Sequence, residues 1–369
     1  MKMQKMIEYL ELSSVDHGGN IEKARAVFGK KRFLDLSINI NPWGPPFKFW
    51  GTLLWNLLKI REYPEPNSEE GCRFLARFFG LESENLALGN GAAELIRFLP
   101  LALPVERGIV LEPTFSEYEQ AFLAIGKPVV KIPLESEFRL PFEEVKKNLK
   151  EGDLLFICQP NNPTGSLFPE AQLIEMLKLA AIRGSWLAVD ESFLWFAGTI
   201  NKLSFSRYLK EYSNLVIINS LTKIGSIPGL RLGFVLANPD IIKELRQRID
   251  QWCVNRLAQK ILVTVLHSKF LAKSVRRIQQ EKCWLTRKMP QIRGIRVFPW
   301  DANFYLIKNE SKHFSTKRLL YELGVRGILV RDCSNFNGLG SDYLRVAIGT
   351  HRQNIKFLNT LRRIVNNEG

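Results

Sequence analysis

Short apolar runs alternate with longer amphipathic stretches through the middle of the chain, and this alternation is the pattern of βαβ units. Several runs, such as LLFIC, WLAVD and LVIIN, are almost wholly apolar, which is typical of strands that helices cover on both faces. We predict an α/β fold whose sheet has about seven, mostly parallel strands. The predicted strands are Asn85–Leu88, Gly108–Glu112, Val129–Leu134, Leu154–Cys158, Trp186–Asp190, Leu215–Asn219 and Leu232–Leu236.

The pattern changes after Asp250, where a long, charged helical stretch over residues 255–290 leads into further short strands and a terminal helix. These strands are predicted near Ile295–Ile307, Gly327–Arg331 and Tyr343–Ile348. We therefore predict three parts. They are an arm at residues 1–45 that contributes to the small domain, a large domain at residues 46–250, and a small α+β C-terminal domain at residues 251–369.

The composition is that of a globular chain with a large core, since 46% of the 369 residues are apolar. The five cysteines never form a C-x-x-C pair and the four histidines lack ligand spacing, so we expect reduced thiols and no metal site. The start, MKMQKMIEYLELSS, lacks the apolar region of a signal peptide, and the longest apolar runs are strand-sized. We expect a cytoplasmic protein with no membrane partner.

The formal net charge is +15. Residues 269–296 contain nine Lys or Arg residues and one acidic residue, Glu281. A nucleic-acid binder could use such a face, because phosphate affinity is largely electrostatic. A solvated helix surface is the simpler interpretation and the one we favour. A positive field that attracts small anionic substrates is a third possibility. We expect no nucleic-acid partner.

Segments rich in polar and reactive side chains follow several of the predicted strands. They are GNGAAE, EPTFSEYE, QPNNPTG, DESF and NSLTK. Taken singly, each of them could be a turn or a helix cap. In a mostly parallel open sheet, however, ligands collect outside the carboxyl ends of the strands. The placement of the segments therefore predicts one shared site.

The order of these segments carries a resemblance to a known family. The matching residues are Gly89-Asn90-Gly91, Pro113-Thr114-Phe115, Asn161-Asn162-Pro163-Thr164-Gly165, Asp190-Glu191, Ser220-Leu221-Thr222-Lys223 and Gly229-Leu230-Arg231. Together they resemble the fold type I pyridoxal-phosphate enzymes of the aspartate aminotransferase superfamily, over nearly the whole chain. The resemblance implies that fold, with its smaller C-terminal α+β domain, and pyridoxal 5′-phosphate as cofactor.

The resemblance also implies a role for each matching residue. Lys223 would supply the amine that binds the cofactor aldehyde, although an isolated lysine is normally a surface charge. The cofactor phosphate would be held by two hydroxyls, one guanidinium and the backbone N–H groups at a helix N-terminus. The residues expected to provide these groups are Ser220, Thr222, Arg231, Gly91 and Ala92.

Further residues would contact the cofactor ring and set its protonation state. Asp190 would keep the ring nitrogen protonated, so that the ring can accept electrons. Phe115 would stack on the ring, although it could also be ordinary core, and Asn162 would hydrogen-bond the ring oxygen. The chain departs from the family at Phe193, where many relatives have a tyrosine, and at Ala92 and Ala93, where a hydroxyl or acidic residue is common.

Other segments narrow the resemblance within the superfamily. They are His17-Gly18-Gly19-Asn20, Asn39-Ile40-Asn41-Pro42, Tyr63-Pro64, the IPGLRLG run and Arg331-Asp332-Cys333. These resemble threonine-phosphate decarboxylases, whose nearest cousins, the histidinol-phosphate aminotransferases, share most of the cofactor motifs. The HGGN opening and Phe193 favour the decarboxylases.

The same resemblance implies substrate-binding residues. Arg345 and Arg331 would hold substrate anions, together with Asn162. His17, Asn39 and Tyr63 would close over the substrate, although His17 alone could be an exposed N-terminal residue. Tyr63 is expected to reach across from a second subunit, which implies a homodimer.

The expected reaction is therefore decarboxylation of L-threonine O-3-phosphate to aminopropanol phosphate, for the linker of the cobamide nucleotide loop. L-Serine O-phosphate, giving ethanolamine phosphate, differs by one methyl group and stays open. The close alternative is an aminotransferase acting on histidinol phosphate or another amino acid. The remote alternative is a DNA-binding regulator with an aminotransferase-like body. Such regulators carry an added N-terminal helix-turn-helix domain, and we expect none because the arm reaches the sheet domain too soon.

Overall fold

The structure is a computed structural model that describes residues 18–366 of the chain, so His17 lies outside the described residues. Its strands are β1 (Leu34–Asp35), β2 (Leu86–Gly89), β3 (Arg107–Glu112), β4 (Val129–Pro133), β5 (Asp153–Cys158), β6 (Trp186–Asp190), β7 (Leu215–Ser220), β8 (Gly233–Ala237), β9 (Ile295–Val297), β10 (Phe304–Asn309), β11 (Ile328–Leu329), β12 (Arg331–Asp332) and β13 (Tyr343–Ala347). Its α-helices are α1 (Ile21–Phe28), α2 (Phe47–Leu57), α3 (Glu69–Phe79), α4 (Ala92–Ala102), α5 (Glu117–Leu123), α6 (Phe142–Asn148), α7 (Glu170–Ile182), α8 (Leu194–Ala197), α9 (Ile200–Leu203), α10 (Leu221–Ile224), α11 (Pro239–Arg246), α12 (Arg256–Val265), α13 (Ser268–Lys288), α14 (Thr316–Val325) and α15 (His351–Asn366).

The large sheet has seven strands in the order β2-β8-β7-β6-β5-β3-β4 within the described residues. Strand β8 runs antiparallel to both of its neighbours, and the remaining pairs are parallel. The predicted α/β fold with a mostly parallel sheet is confirmed. Each strand predicted between residues 85 and 236 matches the observed bounds to within one residue.

The central strands are buried because helices lie on both faces of this sheet. Every residue of β5 is buried, and alternate side chains enter two different hydrophobic clusters. Leu154 and Phe156 belong to one cluster, whereas Leu155 and Ile157 belong to the other. The period of two along a strand sends successive side chains to opposite faces, so a strand covered on both faces is apolar over most of its length.

The C-terminal part contains a second, four-stranded sheet with the order β12-β13-β10-β9 in the described chain. All of its strand pairs are antiparallel. The N-terminal part joins this region, because β1 pairs in parallel with β11 and α1 packs against α14. These contacts agree with an arm that contributes to a small domain. The predicted domain boundaries themselves stay predictions.

The predicted helical stretch over residues 255–290 consists of two helices, α12 and α13. Asn255 caps α12, since its side-chain oxygen accepts from the backbone N–H of Ala258. The break falls where His267 takes an extended conformation (φ −62°, ψ 123°). The two helices pack against different elements, α12 against α2 and α13 against α8, so the chain must change direction between them.

Within residues 18–366, the helices are too short or too polar for any of them to cross a lipid bilayer. The carboxyl ends of β3, β5, β6 and β7 lie along one edge of the large sheet, because these strands are parallel to one another. Strands β12 and β13 of the second sheet face this edge across a cavity. The fold thus brings together the polar segments that follow the strands.

Candidate active site

A cavity of about 330 Å³ lies between the edge of the large sheet and the second sheet. This volume is within the usual range for small-molecule sites. Most of the residues predicted from sequence line it. They are Asn39, Ala92, Phe115, Asn162, Asp190, Ser220, Thr222, Lys223, Arg231, Arg331 and Arg345.

Three predicted residues stand apart from that lining. Gly91 lies directly behind Arg231 at the start of α4. Tyr63 is 77% exposed, and its ring lies 5.1 Å from that of Trp252, outside the cavity. His17 precedes the described residues. The role expected for Tyr63 requires a second subunit and stays a prediction.

One end of the cavity is built to hold an anion. The hydroxyls of Ser220 and Thr222 lie 2.7 Å apart, both in buried residues. Gly91 has a φ of +83°, and a Cβ there would stand 2.6 Å from Nη2 of Arg231. Glycine therefore lets the exposed guanidinium cross the N-terminus of α4, where backbone N–H groups also favour negative charge. These donors fit a phosphate group.

Lys223 is placed on α10, directly after β7. Its backbone carbonyl accepts from the N–H of Asn41, which ties this turn to the N-terminal part of the chain. The pKa of the Lys223 ammonium is lowered to about 8, mainly by burial and then by the charges of Arg345 and Arg231, while the charge of Asp190 opposes them. A substantial fraction of the amine is consequently neutral near pH 8, which suits attack on an aldehyde.

Asp190 ends β6 with its carboxylate buried. Its Oδ2 accepts a 2.8 Å hydrogen bond from the hydroxyl of Tyr118, and its Oδ1 accepts a 2.9 Å bond from the backbone N–H of Ser192. Burial raises the pKa of Asp190, while the hydrogen bonds from Ser192 and Tyr118 and the charge of Lys223 lower it. A desolvated carboxylate of this kind is suited to pair with a cationic ring nitrogen.

Two buried arginines on neighbouring strands of the second sheet also line the cavity. Arg331 and Arg345 are Cα partners on the antiparallel strands β12 and β13. The pKa of Arg345 is lowered to about 10, mainly by burial and in part by the positive charge of Arg331, while Cys333 and Asp35 oppose this shift. Two neighbouring guanidinium groups in a poorly solvated cavity favour binding of an anion.

Arg345 is held in place by neutral groups. Its Nη1 donates to Oδ1 of Asn162 (2.5 Å), its Nη2 donates to the carbonyl of Ser37 (2.8 Å), and its guanidinium carbon lies 5.3 Å above the ring of Phe304. Its buried Nε has no hydrogen-bond partner among the described residues. Arg345 thus keeps its charge and a donor for a ligand.

Asn39 presents a second orphaned polar atom to the cavity. Its side chain is buried, and its Oδ1 has no hydrogen-bond partner in residues 18–366. A buried amide oxygen without a donor is costly unless a ligand or water supplies one. Asn39 is therefore positioned to accept a hydrogen bond from a bound molecule.

Sequence reasoning missed two residues that shape the site, Tyr118 and Ser192. Both contact Asp190 and both line the cavity. Tyr118 stands three residues after Phe115 in the EPTFSEYE segment, and a helix starting there would bring the two side chains together. The sequence therefore contained a signal for Tyr118. Ser192 belongs to the DESF segment, but nothing in that segment predicted that its backbone N–H and its side chain would both hydrogen-bond Asp190.

Phe193 contributes an apolar wall at the position where many relatives have a tyrosine. Its side chain is buried and lines the cavity. Its ring contacts the ring of Phe304 in a T-shaped arrangement, with the ring centres 4.9 Å apart. The guanidinium of Arg345 lies over that same Phe304 ring. The departure from the family pattern therefore removes a hydroxyl without leaving a gap.

Taken together, the residues present fit pyridoxal phosphate. The hydroxyls, guanidinium and helix N-terminus match its phosphate, Lys223 matches its aldehyde, and Asp190 matches its ring nitrogen. Phe115 supplies an aromatic face at the cavity wall, where its ring meets that of Tyr118 edge-on at 5.7 Å. The individual roles of these residues stay predictions.

Comparisons with known proteins identify the family of the chain. The family model for aminotransferase class I and II matches residues 57–361. The chain is 32% identical over 362 residues to the adenosylcobalamin biosynthesis bifunctional protein CobDQ of Leptospira interrogans, covering 95% of this chain but 41% of that protein. It is 31% identical over 357 residues to the threonine-phosphate decarboxylase of Salmonella typhimurium, covering 95% of this chain and 96% of that protein.

A solved structure extends the agreement to the fold. The histidinol-phosphate aminotransferase of Clostridium acetobutylicum matches with a TM-score of 0.85 and 30% identity, covering 90% of this chain and 99% of that chain. Fold type I and its cofactor are thereby confirmed. The chain belongs to the aminotransferase class I and II family of pyridoxal-phosphate-dependent enzymes.

Proposed function

We propose that the protein decarboxylates a small amino acid phosphate. The preferred substrate is L-threonine O-3-phosphate, which would give aminopropanol phosphate for the linker of the cobamide nucleotide loop. L-Serine O-phosphate is the lower homologue. The observation that carries the proposal is the pairing of Arg331 with Arg345 in the cavity that contains Lys223 and Asp190.

The two arginines match the charges of such a substrate. An amino acid phosphate has a carboxylate at Cα and a phosphate at the far end. The acceptors of Arg345 in the described chain, Asn162 Oδ1 and Ser37 O, are both uncharged, so its positive charge is available to an incoming anion. Charge-assisted contacts to carboxylate and phosphate are the strong ones that guanidinium groups make.

Asp190 and Lys223 have different roles in the proposed reaction. Pyridoxal phosphate, when bound, supplies a cationic ring that accepts the electrons of the Cα bond standing perpendicular to its plane. Asp190 holds a proton on the ring nitrogen. The Nζ of Lys223, with a pKa of about 8, can hold a proton or release it near neutral pH, and it is our candidate for protonating Cα.

The anion anchors decide which Cα bond is aligned for cleavage. If Arg331 and Arg345 hold the substrate so that its carboxylate lies out of the ring plane, CO2 is lost. If the hydrogen lies there, the outcome is transamination. Binding energy from the remote phosphate would then be used to select the reactive conformer.

A histidinol-phosphate-type aminotransferase is the second candidate. The similarity to the Clostridium acetobutylicum enzyme favours it, because that protein is as similar in sequence as the decarboxylase relatives. Both reactions would use the same cofactor residues. They differ in whether an oxoacid is required.

A product assay separates the two candidates. Cofactor-loaded protein is incubated with L-threonine O-3-phosphate, L-serine O-phosphate or histidinol phosphate, with and without 2-oxoglutarate. We expect CO2 and the corresponding amino alcohol phosphate without any oxoacid. An absolute requirement for 2-oxoglutarate, with no CO2 released, would reject the decarboxylase and support the aminotransferase.

The proposal includes a homodimer. Side chains at four positions along one stripe of α2 and just beyond it are more than half exposed, although all are apolar; they are Phe47, Trp50, Leu54 and Leu58. We call this stripe the α2 surface. Tyr63 follows it closely in sequence and is also exposed. A second copy covering the α2 surface would bring Tyr63 towards the partner's cavity.

A further inference from the structure

The hydroxyl of Tyr118 lies in the interior, beside the carboxylate of Asp190. Tyr118 has no exposed surface, and its hydroxyl donates to Oδ2 of Asp190 at 2.8 Å. The other carboxylate oxygen accepts from the backbone N–H of Ser192. The two oxygens are thus held by donors on different elements, one on α5 and one in the turn after β6.

The ring of Tyr118 cannot carry its hydroxyl away from this position. It is stacked on Phe156 with the ring centres 4.9 Å apart and an angle of 10° between the planes. Phe115, which lines the cavity, meets its edge at 5.7 Å. A buried Tyr118 side chain in contact with two aromatic rings is held as a well-positioned donor.

Three other titratable groups act on Asp190 or are affected by it. The thiol of Cys158, at the end of the neighbouring strand β5, and the carboxyl of Glu191 both interact unfavourably with a negative charge on Asp190. The ammonium of Lys223 interacts favourably with that charge. Tyr118 differs from these groups because it acts as a neutral hydrogen-bond donor.

We propose that Tyr118 is a positioning residue that holds Asp190 ionised and thereby keeps the proton on the ring nitrogen of pyridoxal phosphate. The proposal rests on the cofactor role assigned to Asp190 and not on the choice of substrate. Removing the hydroxyl would leave a buried carboxylate oxygen without its donor, which raises the proton affinity of Asp190. The proton would then move from the ring nitrogen towards the carboxylate.

The test reads the position of this proton directly. The protein is loaded with pyridoxal phosphate carrying ¹⁵N in the ring, and the ¹⁵N chemical shift is followed against pH without substrate. We expect the shift of a protonated nitrogen in the wild type. In Tyr118→Phe we expect the ring nitrogen to lose its proton at a pH lower by about one unit or more, the usual effect of a hydrogen bond to a charged group.

Tyr305→Phe is the matched control. Tyr305 is equally buried, but its hydroxyl contacts the sulfur of Met289 and its side chain does not line the cavity. This variant should keep the wild-type ¹⁵N profile. If both variants shift alike, or if Tyr118→Phe matches the wild type, the proposal is wrong.

A second substitution covers the case in which Tyr118→Phe does not fold. Incorporation of a fluorinated tyrosine at position 118 keeps the ring and makes the hydroxyl a stronger donor. We expect the ring nitrogen to keep its proton to a higher pH than in the wild type. A change in the opposite direction would overturn the proposal. Because no substrate is present, the result is independent of whether the enzyme decarboxylates or transaminates.

Discussion

Lys223 has both positive and negative neighbours, and the positive ones have the larger effect on its pKa. Burial lowers its pKa to about 8, with Arg345 and Arg231 as the next largest influences and Asp190 acting in the opposite direction. The lysine is therefore partly neutral at a pH where an exposed lysine would be almost fully charged. Its reactivity therefore depends on two arginines for which we propose a second role, the binding of anions.

Replacing one of these arginines should change how the lysine reacts. In Arg345→Gln we expect the pKa of Lys223 to rise, because one repelling charge is lost. Cofactor-free protein would then take up pyridoxal phosphate more slowly at pH 7, by roughly three- to tenfold, and the rate would recover at higher pH. The measurement is the growth of visible absorbance against pH. Arg77→Gln, at an exposed position on α3, should behave as the wild type.

Glu191 is a buried acid that does not line the cavity. Its side chain has no exposed surface, its Oε1 accepts from the N–H of Phe205, and its Oε2 has no partner within residues 18–366. Burial raises its pKa to about 8. The folded state therefore binds a proton that the unfolded state releases above its ordinary pKa of 4.5.

This difference in proton binding makes stability depend on pH. The contribution of Glu191 to the free energy of unfolding is fully present below pH 4.5 and is lost as pH rises to about 8. We expect Glu191→Gln to lose less stability than the wild type between pH 6 and pH 8, by on the order of 2 kcal/mol. Urea denaturation at both pH values measures the difference. Equal slopes in the two proteins would contradict a proton on Glu191. Glu175→Gln, at an exposed position on α7, is the control.

At the scale of elements, the backbone conformation of Gly91 at the start of α4 determines whether the side chain of Arg231 can lie beside it. A Cβ at position 91 would stand 2.6 Å from Nη2 of Arg231, and the φ of +83° there is unfavourable for other residues. Gly91→Ala should therefore displace the guanidinium and strain the turn, at about 1–3 kcal/mol. We expect pyridoxal phosphate to bind roughly tenfold more weakly or worse.

Equilibrium dialysis of the cofactor measures this effect. Gly229→Ala is the matched control, because Gly229 precedes Arg231 by two residues but has no atom within 4 Å of an added Cβ. It should bind the cofactor as the wild type does. Wild-type affinity in Gly91→Ala would show that Arg231 is not needed in this position.

The sheet could be predicted closely because its strands are buried on both faces. From Leu154 to Cys158 every residue of β5 is apolar, and the polar residues Asp153 and Gln159 mark the two ends of this run. The helices were less predictable. The break between α12 and α13 depends on packing against α2 and α8, which are distant in sequence, and the local pattern contains no sign of it.

The site could be predicted as a set of segments but not as a set of contacts. The rule that ligands collect at strand ends, together with the resemblance, identified residues that the fold does bring to one cavity. The hydrogen bonds from Arg345 to Asn162 and to Ser37 join residues 183 and 308 positions apart. Such pairs are set by how the two sheets face each other, which no local pattern encodes.

At the scale of the whole molecule, helix α2 is apolar on two sides. One side, including Phe49 and Leu53, packs into the core, where α2 contacts α12. The α2 surface forms the other side, with Phe47 93% and Leu58 79% exposed. A helix that is apolar all round is normally buried on all sides, and a contiguous exposed patch of this kind marks an interaction site.

Self-association through the α2 surface must overcome repulsion, because each copy has a net charge of +15. Screening by salt weakens this repulsion, whereas contacts between apolar side chains persist. We therefore expect the dissociation constant of the dimer to fall as salt rises from 0.05 to 0.5 M. A dimer held mainly by ion pairs would show the opposite trend. Sedimentation velocity over a range of concentrations measures it.

Charge placed on the α2 surface should separate the subunits. Trp50→Glu combined with Leu54→Glu buries two carboxylates in the proposed contact, and we expect a folded monomer at concentrations where the wild type is dimeric. Ile182→Glu is the control: Ile182 is 83% exposed on α7, distant in sequence from α2, and its variant should remain dimeric. If Tyr63 completes the partner's cavity, the monomer should also lose most turnover while still binding pyridoxal phosphate. A fully active monomer would show that one chain holds the whole site.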